Sequence, residues 1–159
     1  MSSMVPRDRH GRQRSPSARD CRNGLTRRSG RCQCTGVAFE FSGEPTDASF
    51  CHCSICRKLS GSAFAAYIEV ATGNLKITAG SGLLRRYEIT ARLTKTFCRC
   101  CGTPLFTEHS AFPQFTYLSL GVLDDDDGVV PEYHQFTGSK AKWYAITDGL
   151  PQYEEWPEL

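Results

Sequence analysis

Along most of the chain apolar and polar residues alternate in short runs, a period-two pattern that belongs to strands rather than helices. Val37, Phe39 and Phe41 alternate with Ala38 and Glu40, which predicts a half-buried strand. Ser62–Val70 is rich in aromatic and β-branched residues and runs into the turn residues Ala71-Thr72-Gly73-Asn74. Leu75–Thr78 and Leu83–Ile89 predict strands on either side of Ala79-Gly80-Ser81-Gly82. Leu93–Phe97 predicts another, Phe115–Val122 the clearest, and Tyr133–Phe136 a short one. Helical signals are confined to a short turn over Ser54–Ser60. Many short strands separated by glycine-rich turns predict a mainly β domain.

The pattern starts only near Arg31. Residues 1–29 hold few apolar positions and show neither period, so they predict a disordered basic tail ahead of a folded domain over 30–159. Residues 1–31 carry nine arginines against two aspartates, while the rest of the chain carries ten Lys and Arg against fifteen Asp and Glu. The overall charge of +2 therefore hides a basic tail on a mildly acidic body. Arginines in such a tail can neutralise phosphates, so nucleic acid enters as a partner only through the tail. At 159 residues and 40% hydrophobic content the chain suits one domain with a real core. No run approaches the ~18 apolar residues of a membrane span, and no apolar signal-peptide core stands near the start, so the expected location is cytoplasmic.

Composition changes the picture most through its nine cysteines. An odd number excludes complete pairing into disulfides, and clustered cysteines in an intracellular chain are more often ligands or reactive thiols. Cys98-Arg99-Cys100-Cys101-Gly102 contains a C-x-x-C pair followed by glycine, the form of a zinc knuckle. Cys32 and Cys34 supply a complementary pair. Together Cys32, Cys34, Cys98 and Cys101 make a closed four-thiolate set that ties the first strand to the middle of the domain. Cys51, Cys53 and Cys56 are three thiolates with no fourth cysteine nearby in sequence, the form of a zinc site with an open position. Arg57 and Lys58 follow directly, and cations favour thiolate over thiol. Three other readings share this spacing: His52 as fourth ligand, Cys100 as fourth ligand, or a redox thiol site without metal. Cys21 lies in the tail, and Cys100 has no assigned role.

These segments, in this order, resemble the glutathione-dependent formaldehyde-activating enzyme family, whose domain is also called centromere-protein-V-type. The resemblance rests on Gly30-Arg31-Cys32-Gln33-Cys34-Thr35-Gly36-Val37, on Cys51-His52-Cys53-Ser54-Ile55-Cys56-Arg57-Lys58 with Gly61-Ser62-Ala63-Phe64, and on Phe97-Cys98-Arg99-Cys100-Cys101-Gly102-Thr103-Pro104-Leu105. Gly121–Asp125, Pro131–His134 and Trp143 through Asp148–Pro151 extend it towards the end of the chain. It implies a β-tent of small antiparallel sheets organised around zinc. It also implies two zinc ions per chain, a structural one on Cys32, Cys34, Cys98 and Cys101 and a catalytic one on Cys51, Cys53 and Cys56. The implied activity is carbon–sulfur lyase chemistry, the reversible formation of S-(hydroxymethyl)glutathione from formaldehyde and glutathione. Arg57 and Lys58, with Arg85, Arg86 and Arg99, are candidates to pair with the carboxylates of glutathione. The alternative is a zinc module or a formaldehyde and glutathione carrier without turnover.

Other features carry plainer expectations. Asp124–Asp127 lacks the alternate spacing of a calcium loop and reads as a solvated turn. His134 reads as a satisfied structural histidine. Phe64, Tyr67, Trp143 and Tyr144 read as core or pocket wall.

Overall fold

The computed structural model describes residues 26–157. The alternation in Val37–Phe41 does what its period requires: Phe39 and Phe41 are buried, while Ala38, Glu40 and Ser42 stay partly exposed. The strands, in chain order, are β1 (Arg27–Arg31), β2 (Ala38–Ser42), β3 (Thr46–Cys51), β4 (Ala65–Ala71), β5 (Leu75–Ala79), β6 (Leu84–Glu88), β7 (Leu93–Cys98), β8 (Pro104–His109), β9 (Phe115–Ser119) and β10 (Tyr133–Gln135). One short helix, α1 (Ser54–Ser60), lies between β3 and β4. The fold is mainly β, as the pattern predicts.

β1, β2 and β5 form a three-stranded antiparallel sheet. The others form a seven-stranded sheet in the order β10-β3-β4-β9-β8-β7-β6. All its pairs are antiparallel except β10 with β3, which is parallel. The chain reaches β10 through a long connection after β9, so no tight hairpin imposes the antiparallel direction there. Both sheets contribute to one core, with Val37, Phe39 and Phe41 from the smaller side and Ile68, Val70, Leu105 and Leu118 from the larger. No helix among the described residues is long and apolar enough to cross a membrane.

Two expectations are corrected. The disordered tail does not reach residue 29, because Arg27–Ser29 already belong to β1 and pair with β2 in register from Arg27 opposite Ser42. The remainder of the expected tail, residues 1–25 with Cys21, lies outside the described residues. The acidic run is not merely solvated. Arg31 donates to Asp124 at 2.6 and 2.9 Å, the Ser29 hydroxyl donates to Asp124 at 2.8 Å, and Arg28 reaches the backbone carbonyls of Asp125 and Asp127. Arg31 accordingly holds the Asp124 carboxyl below its usual range. β1 and the acidic loop thus clasp each other.

Gly80 explains how β5 approaches the first cysteine turn. Its φ is +71°, and a Cβ there would stand 1.9 Å from the backbone oxygen of Gly36. Neither feature tolerates a side chain, so Gly80→Ala is expected to destabilise the domain by about 2 kcal/mol or more. Urea denaturation checks this; an unchanged midpoint contradicts it.

Candidate functional site

Cys32 ends up beside Cys34 because the chain turns sharply after β1. The Thr35 amide donates to the Cys32 carbonyl at 2.9 Å, and Thr35 sits at φ 61°. The Cys32 amide in turn bonds the Val37 carbonyl at 3.0 Å, and the Val37 amide points at Cys32 Sγ at 3.2 Å. The β7–β8 turn is built alike: the Gly102 amide donates to the Cys98 carbonyl at 2.8 Å, with Gly102 at φ 75°. The amides of Cys101 and Cys100 hold the Cys98 thiol below its usual range. The Gln33 amide donates to Thr103 Oγ1 at 3.1 Å and so joins the two turns. The sulfurs of Cys32, Cys34, Cys98 and Cys101 all lie within 4.8 Å of one another, with Cys32 to Cys34 at 3.5 Å and Cys34 to Cys98 at 3.8 Å.

The second set forms where β3 hands over to α1. Cys51 is the last residue of β3 and is held between Ala65 of β4 and Gln135 of β10. Cys53 is the N-cap of α1, its sulfur accepting from the Cys56 amide at 3.3 Å. Cys56 lies in the first turn and comes back to the same point. The three sulfurs lie within 4.8 Å of one another, and no histidine, acid or fourth cysteine among the described residues joins them. Hydrogen bonds from Cys51 and Cys56, then from the Cys56 and Ile55 amides, hold the Cys53 thiol well below its usual range. Each cluster can hold a metal ion. Every described cysteine is free of disulfide bonding.

His52 does not join the trio, which removes one of the readings left open by spacing. Its ring is buried between Phe64 and Tyr144 and faces His134, Nε2 to Nδ1 at 2.8 Å. His134 Nε2 continues to the Asp148 carboxylate at 2.9 Å. Burial first, then the charges around it, push the His52 ring down to about 4, so it is neutral near pH 7. His134 is thus bonded at both ring nitrogens, as expected of a structural histidine. Cys100 joins neither set and is exposed. Trp143 is 74% exposed and is not the core or pocket residue expected of it.

A cavity of about 360 Å³ opens against Cys51, Cys53 and Cys56. Neither Arg57 nor Lys58 lines it. Arg57 instead donates to the backbone carbonyls of His52 and Ser139, at 3.2 and 3.1 Å, and fastens α1 to the strap around Ser139. Two residues in and behind the wall were not singled out as a pair by the sequence. Tyr67 of β4 lines the cavity, and the Lys95 ammonium of β7 donates to its hydroxyl at 3.1 Å and to Ser119 at 3.4 Å. Lys95 is only 4% exposed, and burial pushes its pKa down to about 8. The signal for it was its place two residues from both Leu93 and Phe97, on one face of a strand. Burial, then the Cys56 thiolate, pushes the Tyr67 phenol up.

Residues 27–139 match the family model described as glutathione-dependent formaldehyde-activating enzyme. Among solved structures the chain is similar to a Rhodobacter sphaeroides protein determined as a structural genomics target. The two share 26% identity with a TM-score of 0.54, over 65% of this chain and 97% of that one. All seven cysteines of the two clusters fall inside the matched span. With that span covering well over half of its length, the chain belongs to the glutathione-dependent formaldehyde-activating enzyme family.

Proposed function

We propose that the chain is a zinc-dependent carbon–sulfur lyase that joins formaldehyde to a thiol, and reverses that step, at Cys51, Cys53 and Cys56. The family description implies glutathione as the thiol and formaldehyde as the aldehyde. The observation that carries this reading is the trio of converging sulfurs at the end of a cavity, with no fourth ligand among the described residues. The donor chemistry suits zinc. A tetrahedral zinc with Zn–S of ~2.3 Å has sulfur–sulfur edges of roughly 3.8 Å. The spacings of 3.5 and 3.8 Å in the four-cysteine set agree with that edge. One zinc per set gives two per chain, with Cys32, Cys34, Cys98 and Cys101 in the structural role. The absence of disulfides among the described cysteines suits a reducing compartment, and the cytoplasm is the proposed location.

Zinc at the three-cysteine site supplies Lewis acidity, which lowers the pKa of a thiol that reaches it. The chain's own residues do the rest. Cys51, Cys53 and Cys56 fix where the incoming sulfur lies, and the cavity keeps the aldehyde beside it. As the sulfur–carbon bond forms, the carbonyl electron pair moves to oxygen, which takes a proton from Tyr67 Oη. The Lys95 ammonium, already bonded to that oxygen, stabilises the phenolate left behind, and the proton given up by the incoming thiol restores the phenol. In reverse, the Tyr67 phenolate takes the proton of the hydroxymethyl group, the carbon–sulfur bond breaks, and the released thiolate recovers the proton that the phenol had given up.

Tyr67→Phe is therefore expected to lower kcat about 10- to 100-fold while KM stays within about threefold. Exchange between free and thiol-bound formaldehyde, followed by NMR with and without protein, measures both. No acceleration over the uncatalysed reaction overturns the enzyme reading. Wild-type kcat in Tyr67→Phe overturns the role of Tyr67.

A further inference from the structure

The cavity wall has a chemical character that the three cysteines do not explain. Beyond the sulfurs most of its surface is apolar, from Ile55, Leu59, Ile89, Phe112, Phe136 and Trp156, with polar groups such as Thr90, Thr107 and Gln135 among them. Phe136 and Trp156 meet edge to face with centroids 5.0 Å apart. The formal charges in the wall, among the described residues, are those of Asp47 and Arg92. The Asp47 carboxylate already accepts from the Tyr133 hydroxyl.

Glutathione brings two carboxylates and an ammonium, and each needs a charged or hydrogen-bonding partner when taken out of water. Arg92 can pair with one carboxylate and Asp47 with the ammonium, which leaves the second carboxylate to groups without a formal charge such as Thr90, Thr107 and Gln135. The neighbouring cations are committed elsewhere: Arg57 to the carbonyls of His52 and Ser139, Arg86 to Glu108 at 2.6 Å, and Lys95 to Tyr67 and Ser119. An aromatic or branched aliphatic body meets the opposite situation. It fills the space against rings and aliphatic side chains and leaves no charge unpaired.

Resting on the open three-cysteine reading above, we infer that the thiol this cavity selects is a small thiol with an uncharged aromatic or branched apolar body rather than glutathione. Its sulfur would meet Cys51, Cys53 and Cys56, and its body would lie against Phe112, Phe136 and Trp156. Selectivity then resides in β8–β9 and C-terminal residues rather than in the cysteine motif.

The test is calorimetric titration of the zinc-loaded full-length chain, under anaerobic conditions, with 2-phenylethanethiol, with glutathione, and with 2-phenylethanol. Binding of 2-phenylethanethiol at least tenfold tighter than glutathione is expected. Trp156→Ala, at a position 59% exposed and so harmless to folding, is expected to narrow that preference at least fivefold. Glutathione binding as tightly as 2-phenylethanethiol, or a preference unmoved by Trp156→Ala, overturns the inference while leaving thiol chemistry at the three cysteines intact. If 2-phenylethanethiol binds no better than 2-phenylethanol, the sulfur meets no open position. The reading of the cysteine trio then fails, and this inference with it.

Discussion

Cys98→Ala is expected to leave the chain unfolded, or to lower its melting temperature by more than about 15 °C. Cys98 is fully buried at the end of β7, its sulfur 3.8 Å from that of Cys34 and fed by the amides of Cys101 and Cys100. The four-cysteine set joins the turn after β1 to the β7–β8 turn, closing a loop of about 65 residues, a long closure whose entropy weighs heavily on the unfolded side. Structural zinc in small domains is worth about 10–16 kcal/mol in apparent binding free energy, as large as the whole stability of an ordinary domain at about 5–15 kcal/mol. Removing one thiolate from the set forfeits much of that. Circular dichroism melts of the purified variant measure the loss. Cys100→Ala is the control. It lies one residue from Cys101 yet belongs to neither cluster, and should stay within about 0.5 kcal/mol of the parent. A Cys98→Ala melt close to wild type contradicts the structural role.

Cys53→Ala is expected to behave in the opposite way: the fold survives and the rate of adduct exchange falls by at least about 100-fold. The trio sits at the end of β3, where the chain passes into α1, and the clustered core residues of both sheets lie elsewhere. The structural cost is the loss of the cap on α1, where Cys53 Sγ accepts from the Cys56 amide, about 1 kcal/mol. The chemical cost is larger, since two sulfurs hold a metal far less firmly than three and no other side chain among the described residues stands ready to replace the third. Adduct exchange by NMR and a thermal melt on the same sample separate the two costs. A variant that unfolds, or one that keeps its rate, contradicts the division of labour between the clusters.

Both cysteine sets were legible in the sequence because turn chemistry and short spacing bring the members of each pair or trio together locally. The grouping of Cys32 and Cys34 with Cys98 and Cys101 followed from their complementary pairs, and sheet packing brings all four together. Strands with clean alternation, such as β2 and β9, were equally plain. β1, β3 and β8 were not. β1 is mostly arginine and polar residues on a sheet edge, β3 buries small residues such as Ala48 and Ser49, and β8 opens on a proline. Each is a strand because a neighbour pairs with it, not because its own pattern asks for it. The same limit hid the Tyr67–Lys95 pair: β4 and β7 are not adjacent in the sheet, with β9 and β8 between them, and only the fold brings the ammonium to the phenol. It also made Arg57 look like a substrate contact, when its guanidinium is occupied by the carbonyls of His52 and Ser139.

The central claim is that seven cysteines make two separable metal centres, one that holds the fold and one that does chemistry. Zinc per chain, counted by native mass spectrometry of the full-length wild type and of Cys53→Ala, tests it most directly. Two zinc ions in the wild type and one in a folded Cys53→Ala are the predicted result. One zinc in the wild type, or loss of both on removing Cys53, would contradict it.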